Sequence, residues 1–206
     1  MPGSRAARHR LNSPEFAPGQ LCPLSYSQWP KLACSRAYQT VAGYGEQMRG
    51  DDRVIEFLNE QLTAELTAIN QYFLHAKMQE NFGWVKIAKH TKHESYDEMR
   101  HAEKLTDRIL FLDGLPNYQR LFPLRIGQTI VQMLEADMAV EAEAVDRLRR
   151  GIAYMRGMGD VTSANIFEDI LKDEEEHIDY LETQLGLITQ LGEQLYLAQL
   201  VEQPDD

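Results

Sequence analysis

The chain has 206 residues, enough for one domain with a real core, and a formal net charge of −11. That charge argues against nucleic acid or an anionic membrane as the main partner, and no apolar run approaches the roughly 20 residues that a membrane span needs. Both cysteines, Cys22 and Cys34, lie near the N-terminus, so the body has no disulfide framework, no thiolate metal site and no cysteine nucleophile.

The charge is unevenly spread. Residues 1–47 carry five basic side chains (Arg5, Arg8, Arg10, Lys31, Arg36) against Glu15 and Glu46, which leaves 16 basic and 30 acidic residues for the remainder. Pro2, Pro14, Pro18, Pro23 and Pro30 fall in this first segment among Ser, Gly and Gln. It has no sustained helical or strand period and is expected to be disordered. Its basic, acid-poor character is compatible with an organellar presequence, but the amphipathic Arg-rich helix of such a segment is missing. A leader or an upstream start is therefore favoured, with Met48 opening the folded domain, 48–206, and a cytoplasmic location is expected.

The first predicted helix runs from Asp51 to about Asn81. Ile55, Leu58, Leu62, Ile69 and Ala76 alternate by three and four, and Glu65 and Tyr72 fill the gaps in that seam. Asp51 and Asp52 suit its N-terminus, and Gly83 ends it. The second runs from about Trp84 to Leu112 with Ala88, Thr91, Glu98, His101, Leu105 and Leu112 on one face, and Gly114 and Pro116 stop it. A connection from Asp113 to Gly127 follows, long enough to cross the length of a bundle. The third helix spans about Gln128 to Met155, with Leu134, Glu141, Leu148 and Met155 spaced by sevens. Gly157 and Gly159 form a turn before the fourth, about Val161 to Leu187, whose face carries Phe167, Ile170, Glu174, His177, Leu181 and Ile188. After Gly186 and Gly192 comes a short apolar helix, Glu193 to about Val201. Nearly equal helices, short turns and one long crossover predict an all-α four-helix bundle with a short fifth helix.

Polar residues standing in these apolar seams carry the functional reading. Glu98-Met99-Arg100-His101 and Glu174-Glu175-Glu176-His177 repeat one spacing, Glu-x-x-His, which puts a carboxylate and an imidazole on one helix face. Glu65 and Glu141 add one carboxylate from each of the other helices. Four neighbouring buried carboxylates are strongly unfavourable as anions. Two divalent ions remove the conflict while both histidines stay neutral, and iron, manganese or zinc accept such ligands. Each residue alone is more often a boundary or satisfied core residue; together they match the known ligand pattern of ferritin-like di-iron proteins. Tyr72 is expected just behind the ligands, its hydroxyl on a carboxylate, where it can supply an electron when O2 is reduced. Met99 lies about 100° from Glu98. It therefore points outward with Leu66 and Phe73, as an exposed strip at a subunit interface would.

Over residues 48–206 the chain resembles bacterioferritin. The resemblance is carried by Glu65 to Ala76 (ELTAINQYFLHA), Asp97 to Glu103 (DEMRHAE), Arg108 to Asn117 (RILFLDGLPN) and Asp173 to Glu182 (DEEEHIDYLE). It implies a hollow homo-oligomeric shell of 24 subunits, built from dimers, that oxidises Fe(II) with O2 or peroxide and stores the ferric mineral inside. It implies two Fe per subunit on Glu65, Glu98, His101, Glu141, Glu174 and His177, with Glu98 and Glu174 bridging. It further implies haem b shared by two subunits through Met99 of each, a ferredoxin-type electron donor for release, and an inner-surface iron site at His93 and Asp97. The N-terminal extension departs from the family pattern. A di-iron enzyme acting on an organic substrate is the chief rival; a rubrerythrin-like peroxidase is disfavoured because residues 48–206 contain no Cys.

Overall fold

Two helical hairpins joined by one long connection make up the computed structural model, which describes residues 50–201. The first hairpin is α1 (Asp52–Asn81) with α2 (Val85–Phe111), and the second is α3 (Ile130–Met158) with α4 (Val161–Leu191). A short α5 (Glu193–Leu200) follows, and among the described residues there is no strand. The predicted all-α ferritin-like bundle is thus present. The segment 1–47 lies outside the described residues.

Element ends follow local chemistry. The Asp51 carboxylate accepts from the Arg53 and Val54 N–H groups at the start of α1, and Thr129 Oγ1 accepts from Gln132 N–H at the start of α3. α3 runs on through Gly157, because Gly159, at φ 79°, is the residue that takes the left-handed turn. There Asp160 N–H donates to Met155 O and Gly159 N–H to Arg156 O, closing the helix end. α4 likewise passes through Gly186 to Leu191 and stops at Gly192, four residues beyond the expected end.

The crossover is held by one face of α1. Asn59 Oδ1 accepts from Asn117 N–H, Thr67 Oγ1 from Phe122 N–H, Gln71 Oε1 from Arg125 N–H and His75 Nε2 from Gly127 N–H, at 2.8–3.0 Å. Residues 59, 67, 71 and 75 share a face because they lie four or eight apart. The connection therefore runs beside α1 in the same direction, with side chains taking the place of the backbone partners that its irregular chain lacks. Because His75 Nε2 accepts, Nδ1 carries the proton and donates to buried Asp137 on α3, 2.9 Å away. Gln71 Nε2 donates to the same carboxylate.

Two apolar clusters occupy opposite ends of the bundle. One gathers Leu58, Leu62, Leu105, Ile109, Leu148, Met155 and Phe167, and the other Ile87, Ile130, Leu134, Leu181, Ile188 and Tyr196. In the first, α3 and α4 approach closely at Gly151, where an added Cβ would lie 2.4 Å from the Phe167 ring. Leu66, expected on the outer strip, is half-buried and packs against this cluster.

Asp160 ties the N-terminus of α4 to α2. It accepts from Ser163 N–H and from the Ser163 hydroxyl, and Arg108 Nη2 donates to it at 2.7 Å. Partial burial pushes its pKa up, but the Ser163 hydroxyl and N–H and Arg108 outweigh that and hold it below the ordinary carboxylate value. A depressed folded-state pKa stabilises above the unfolded value and loses that contribution as pH falls through the folded value. Asp160→Ala is expected to destabilise by about 1 kcal/mol at neutral pH. In urea unfolding, the gap to wild type should persist down to about pH 4 and close below it.

Candidate metal centre

Between the two apolar clusters lies a polar layer to which all four long helices contribute. Glu65 comes from α1, Glu98 and His101 from α2, Glu141 from α3, and Glu174 and His177 from α4. Glu65, Glu98, His101, Glu141 and Glu174 are each at most 2% exposed. The six sequence-predicted residues are all brought together. They form two overlapping groups, Glu65, Glu98, His101 and Glu174, and Glu98, Glu141, Glu174 and His177; within each, candidate ligand atoms lie within 4.8 Å of one another. Glu98 and Glu174 belong to both groups, so the layer offers two cation positions with two shared carboxylates.

His101 Nδ1 stands 3.0 Å from Glu98 Oε2 and 3.6 Å from Glu174 Oε1. His177 Nδ1 faces Glu174 Oε2 at 3.2 Å, Glu98 Oε1 at 3.3 Å and Glu141 Oε1 at 3.5 Å. Yet His177 Nδ1, Glu98 Oε1 and both Glu174 oxygens are buried without a hydrogen-bond partner. Buried polar atoms are ordinarily satisfied. Ligand atoms that converge from four helices, with these four lacking aligned hydrogen bonds, are the arrangement a cation would complete, so the donor set fits divalent metal ions.

Around the layer, Gln61 Nε2 donates to Glu65 Oε1 at 2.8 Å, and Arg147 donates to Gln61. The Tyr72 hydroxyl donates to Glu141 Oε1, as expected from its place in the seam. Burial, then the neighbouring Glu141 charge, pushes the Tyr72 pKa well up, so it stays a donor. Met99 is 52% exposed on the outer side of α2, and Phe73 on α1 is 49% exposed. His93 and Asp97 sit near the surface, His93 Nε2 3.4 Å from Asp97 Oδ2.

Sequence reasoning missed Asp137, Glu94 and Asp173. Asp137 stands one turn before Glu141 and three residues after Leu134, so the three–four alternation held the signal and spacing by sevens skipped it. Glu94 fits the same alternation between Thr91 and Glu98. Asp173 Oδ2 accepts from His101 Nε2 at 3.1 Å, a cross-helix contact without local signature.

An all-α bundle with a carboxylate and histidine layer of this kind defines a ferritin-like protein. The sequence profile described as a ferritin-like domain matches residues 55–191. The chain is 70% identical over 156 residues to the bacterioferritin of Streptomyces coelicolor, covering 76% of this chain and 93% of that one. It is 62% identical over 157 residues to bacterioferritin BfrA of Mycobacterium tuberculosis, covering 76% and 99%. A solved structure of Mycobacterium tuberculosis BfrA superposes with a TM-score of 0.75 at 62% identity, over 76% of this chain and 99% of that one. The chain belongs to the bacterioferritin family.

Without metal, protons relieve the crowding of charge. Burial, followed by the Glu174 and Glu98 charges, pushes the Glu65 and Glu141 pKa values well up. Burial would lower the histidines, but the surrounding carboxylates overcome it, raising His101 to about 11 and His177 as well. For Glu98, burial acts upward, and His101 and His177 outweigh it to bring the value to about 2. Metal must displace these protons. Zn(II) added to the metal-free protein in weak buffer should release several protons per chain, and its affinity should rise with pH across the neutral range. Uptake without proton release, read with an indicator dye, would contradict this electrostatic account.

Proposed function

We propose that the protein is an iron-storing ferroxidase acting in the cytoplasm, whose paired site uses Fe(II) as its substrate. Iron storage is the function that membership of the bacterioferritin family supports. The observation that carries the catalytic reading is the buried pair of four-residue groups sharing Glu98 and Glu174. In this reading Glu65 and His101 complete one position, Glu141 and His177 the other. Two Fe(II) ions give one electron each. O2 takes both with two protons and leaves as hydrogen peroxide, or peroxide takes both with two protons to give two waters.

The chain's own part is to hold the two ions side by side, keep bulk water out through the apolar clusters at either end, and supply acid–base groups. Glu65 and Glu141 gain and lose protons as cations leave and enter. In this reading Tyr72, bonded to Glu141, can supply one electron to O2 in place of an iron, its phenolic proton passing to the Glu141 carboxylate. Ferric iron then moves to a cavity formed by the assembly, where His93 and Asp97 offer an imidazole and a carboxylate on a surface face.

Met99 supports the haem reading. Its thioether stands on an exposed strip with Tyr96 on the same helix and Phe73 on α1, which fits a flat apolar group clamped between two copies of the chain, one Met from each. When bound there, haem b would supply an electron-transfer step for iron release, fed by a ferredoxin-type donor. Leu110, Phe111, Leu115 and Leu121 are exposed as well, which suits burial in a homo-oligomer. No helix among the described residues is long and apolar enough to cross a membrane.

Aerobic addition of Fe(II) to the metal-free protein tests the catalytic reading. Fast oxidation of about two irons per chain is expected by ferric absorbance, and a fall of at least about 100-fold in Glu98→Ala/His101→Ala. Tyr72→Phe should slow oxidation while leaving Fe(II) uptake intact. Equal, slow oxidation in wild type and the double variant would refute a working ferroxidase centre. For the shell, gel filtration should give a particle of roughly 570 kDa for 24 copies of the 23.7 kDa chain. A monomer- or dimer-sized species would contradict it.

A further inference from the structure

Both Glu-x-x-His copies are preceded by an aspartate, giving Asp97-Glu98 on α2 and Asp173-Glu174 on α4. Equivalent positions in a repeated motif predict equivalent work, so Asp97 should stand behind His177 as Asp173 stands behind His101. The structure breaks that symmetry. Asp173 Oδ2 accepts from His101 Nε2 at 3.1 Å. Asp97 is taken up by its own helix, paired with Arg100 and facing His93 at 3.4 Å. The group that meets His177 Nε2 is Glu94, whose Oε2 lies 2.6 Å away. Glu94 leaves α2 one turn before Glu98, on the same side of the helix. Its other oxygen is 3.5 Å from His90 Nε2, and the His90 ring lies against Tyr180 with centroids 3.6 Å apart.

We propose that Glu94 is the positioning residue for His177, holding the imidazole's outer nitrogen so that its inner nitrogen aims at the second metal position, a role the sequence repeat would give to Asp97. The inference rests on the two-metal reading above. An imidazole that ligates through one nitrogen needs an acceptor on the other, which selects the tautomer, fixes the ring and raises ligand basicity. Here the acceptors are exchanged between helices. α2 carries His101 and the carboxylate that aims His177, while α4 carries His177 and the carboxylate that aims His101.

The two halves are not equally made. His101 is 2% exposed and hydrogen-bonded through both nitrogens. The His177 side chain is 13% exposed, its Nδ1 has no hydrogen-bond partner, and its Nε2 lies close to Glu94 Oε2 without the alignment of a hydrogen bond. Glu94 and His177 also border a cavity of about 330 Å³ with His90, Asp97, Asp173 and Tyr180. The His177 position therefore depends on Glu94 for an orientation that packing does not impose.

Co(II) is the probe, since its visible absorption reports the ligands around each ion. The metal-free full-length protein is titrated as wild type, Glu94→Gln, Glu94→Asp and Asp97→Asn. Wild type should take up two Co(II) per chain. Glu94→Gln should bind the first with unchanged affinity and the second about 10–100-fold more weakly, with an altered visible band for that ion alone. Glu94→Asp keeps the charge but loses reach, and should weaken the same ion. The melting temperature of metal-free Glu94→Gln, which a merely structural role would lower, should match wild type. Glu94→Gln or Glu94→Asp binding both ions as wild type does would overturn the assignment, as would Asp97→Asn being the variant that loses the second ion. A wild-type protein that takes up no pair of Co(II) ions would instead sink the two-metal reading itself.

Discussion

Four carboxylates buried in one layer are the constraint on which this structure depends. Each would be costly alone, and together they repel. The cost is met by positive charge in one form, protons on Glu65, Glu141, His101 and His177, and would be met as well by a second form, divalent cations. The exchange of one form for the other is the chemistry that a site for transient metal needs. The layer also explains why two apolar clusters exist in place of one continuous core. The apolar stripes of α2, α3 and α4 are interrupted at the polar layer and resume in the second cluster, whereas α1 gives that cluster no residue and instead buries Gln71, His75 and Gln79 beyond Glu65.

Holding the helices at the height of the layer is the task of the surrounding polar bonds. The crossover could slide along the bundle if only apolar contacts held it, because such contacts have no direction. Asn59, Thr67, Gln71 and His75 instead bond its backbone at defined positions. Gln71 and His75 also bond Asp137, one turn from Glu141, so the rack that positions the crossover is continuous with the helix that supplies a site carboxylate. At the other end of α3, Gly159 and Asp160 turn the chain within two residues, and Arg108 fastens the start of α4 to α2.

The site is asymmetric although the motif that builds it is repeated. His101 is locked from both sides, while His177 borders open space, with Nδ1 unpartnered and Nε2 close to Glu94 but not aligned with it. In the ferroxidase reading proposed above, a pair of unlike positions suits a reaction in which iron must arrive, be oxidised and leave. The exposed strip around Met99 belongs to a different level of organisation, for in the reading proposed above it acquires meaning only when a second copy of the chain covers it.

The sequence by itself determined the number and order of helices, the crossover and the six Glu and His residues that the structure gathers in one buried layer. These are local matters: a 3.6-residue period shows which side chains share a stripe, and a Glu or His standing in an apolar stripe is visible without neighbours. Helix ends were legible to within a few residues, with Gly157 and Gly186 misleading because each stands in open space within a continuing helix, which ends only where Gly159 or Gly192 takes a positive φ. Only the tertiary structure decided that Glu94 and not Asp97 faces His177, that Asp173 reaches across to His101, that His75 and Asp137 form a buried pair, and that Leu66 turns partly inward. Each of these depends on the rotation of one helix about its axis and its height beside another. A single helix's periodicity carries neither quantity, since both are set by how the stripes of all four helices pack at once.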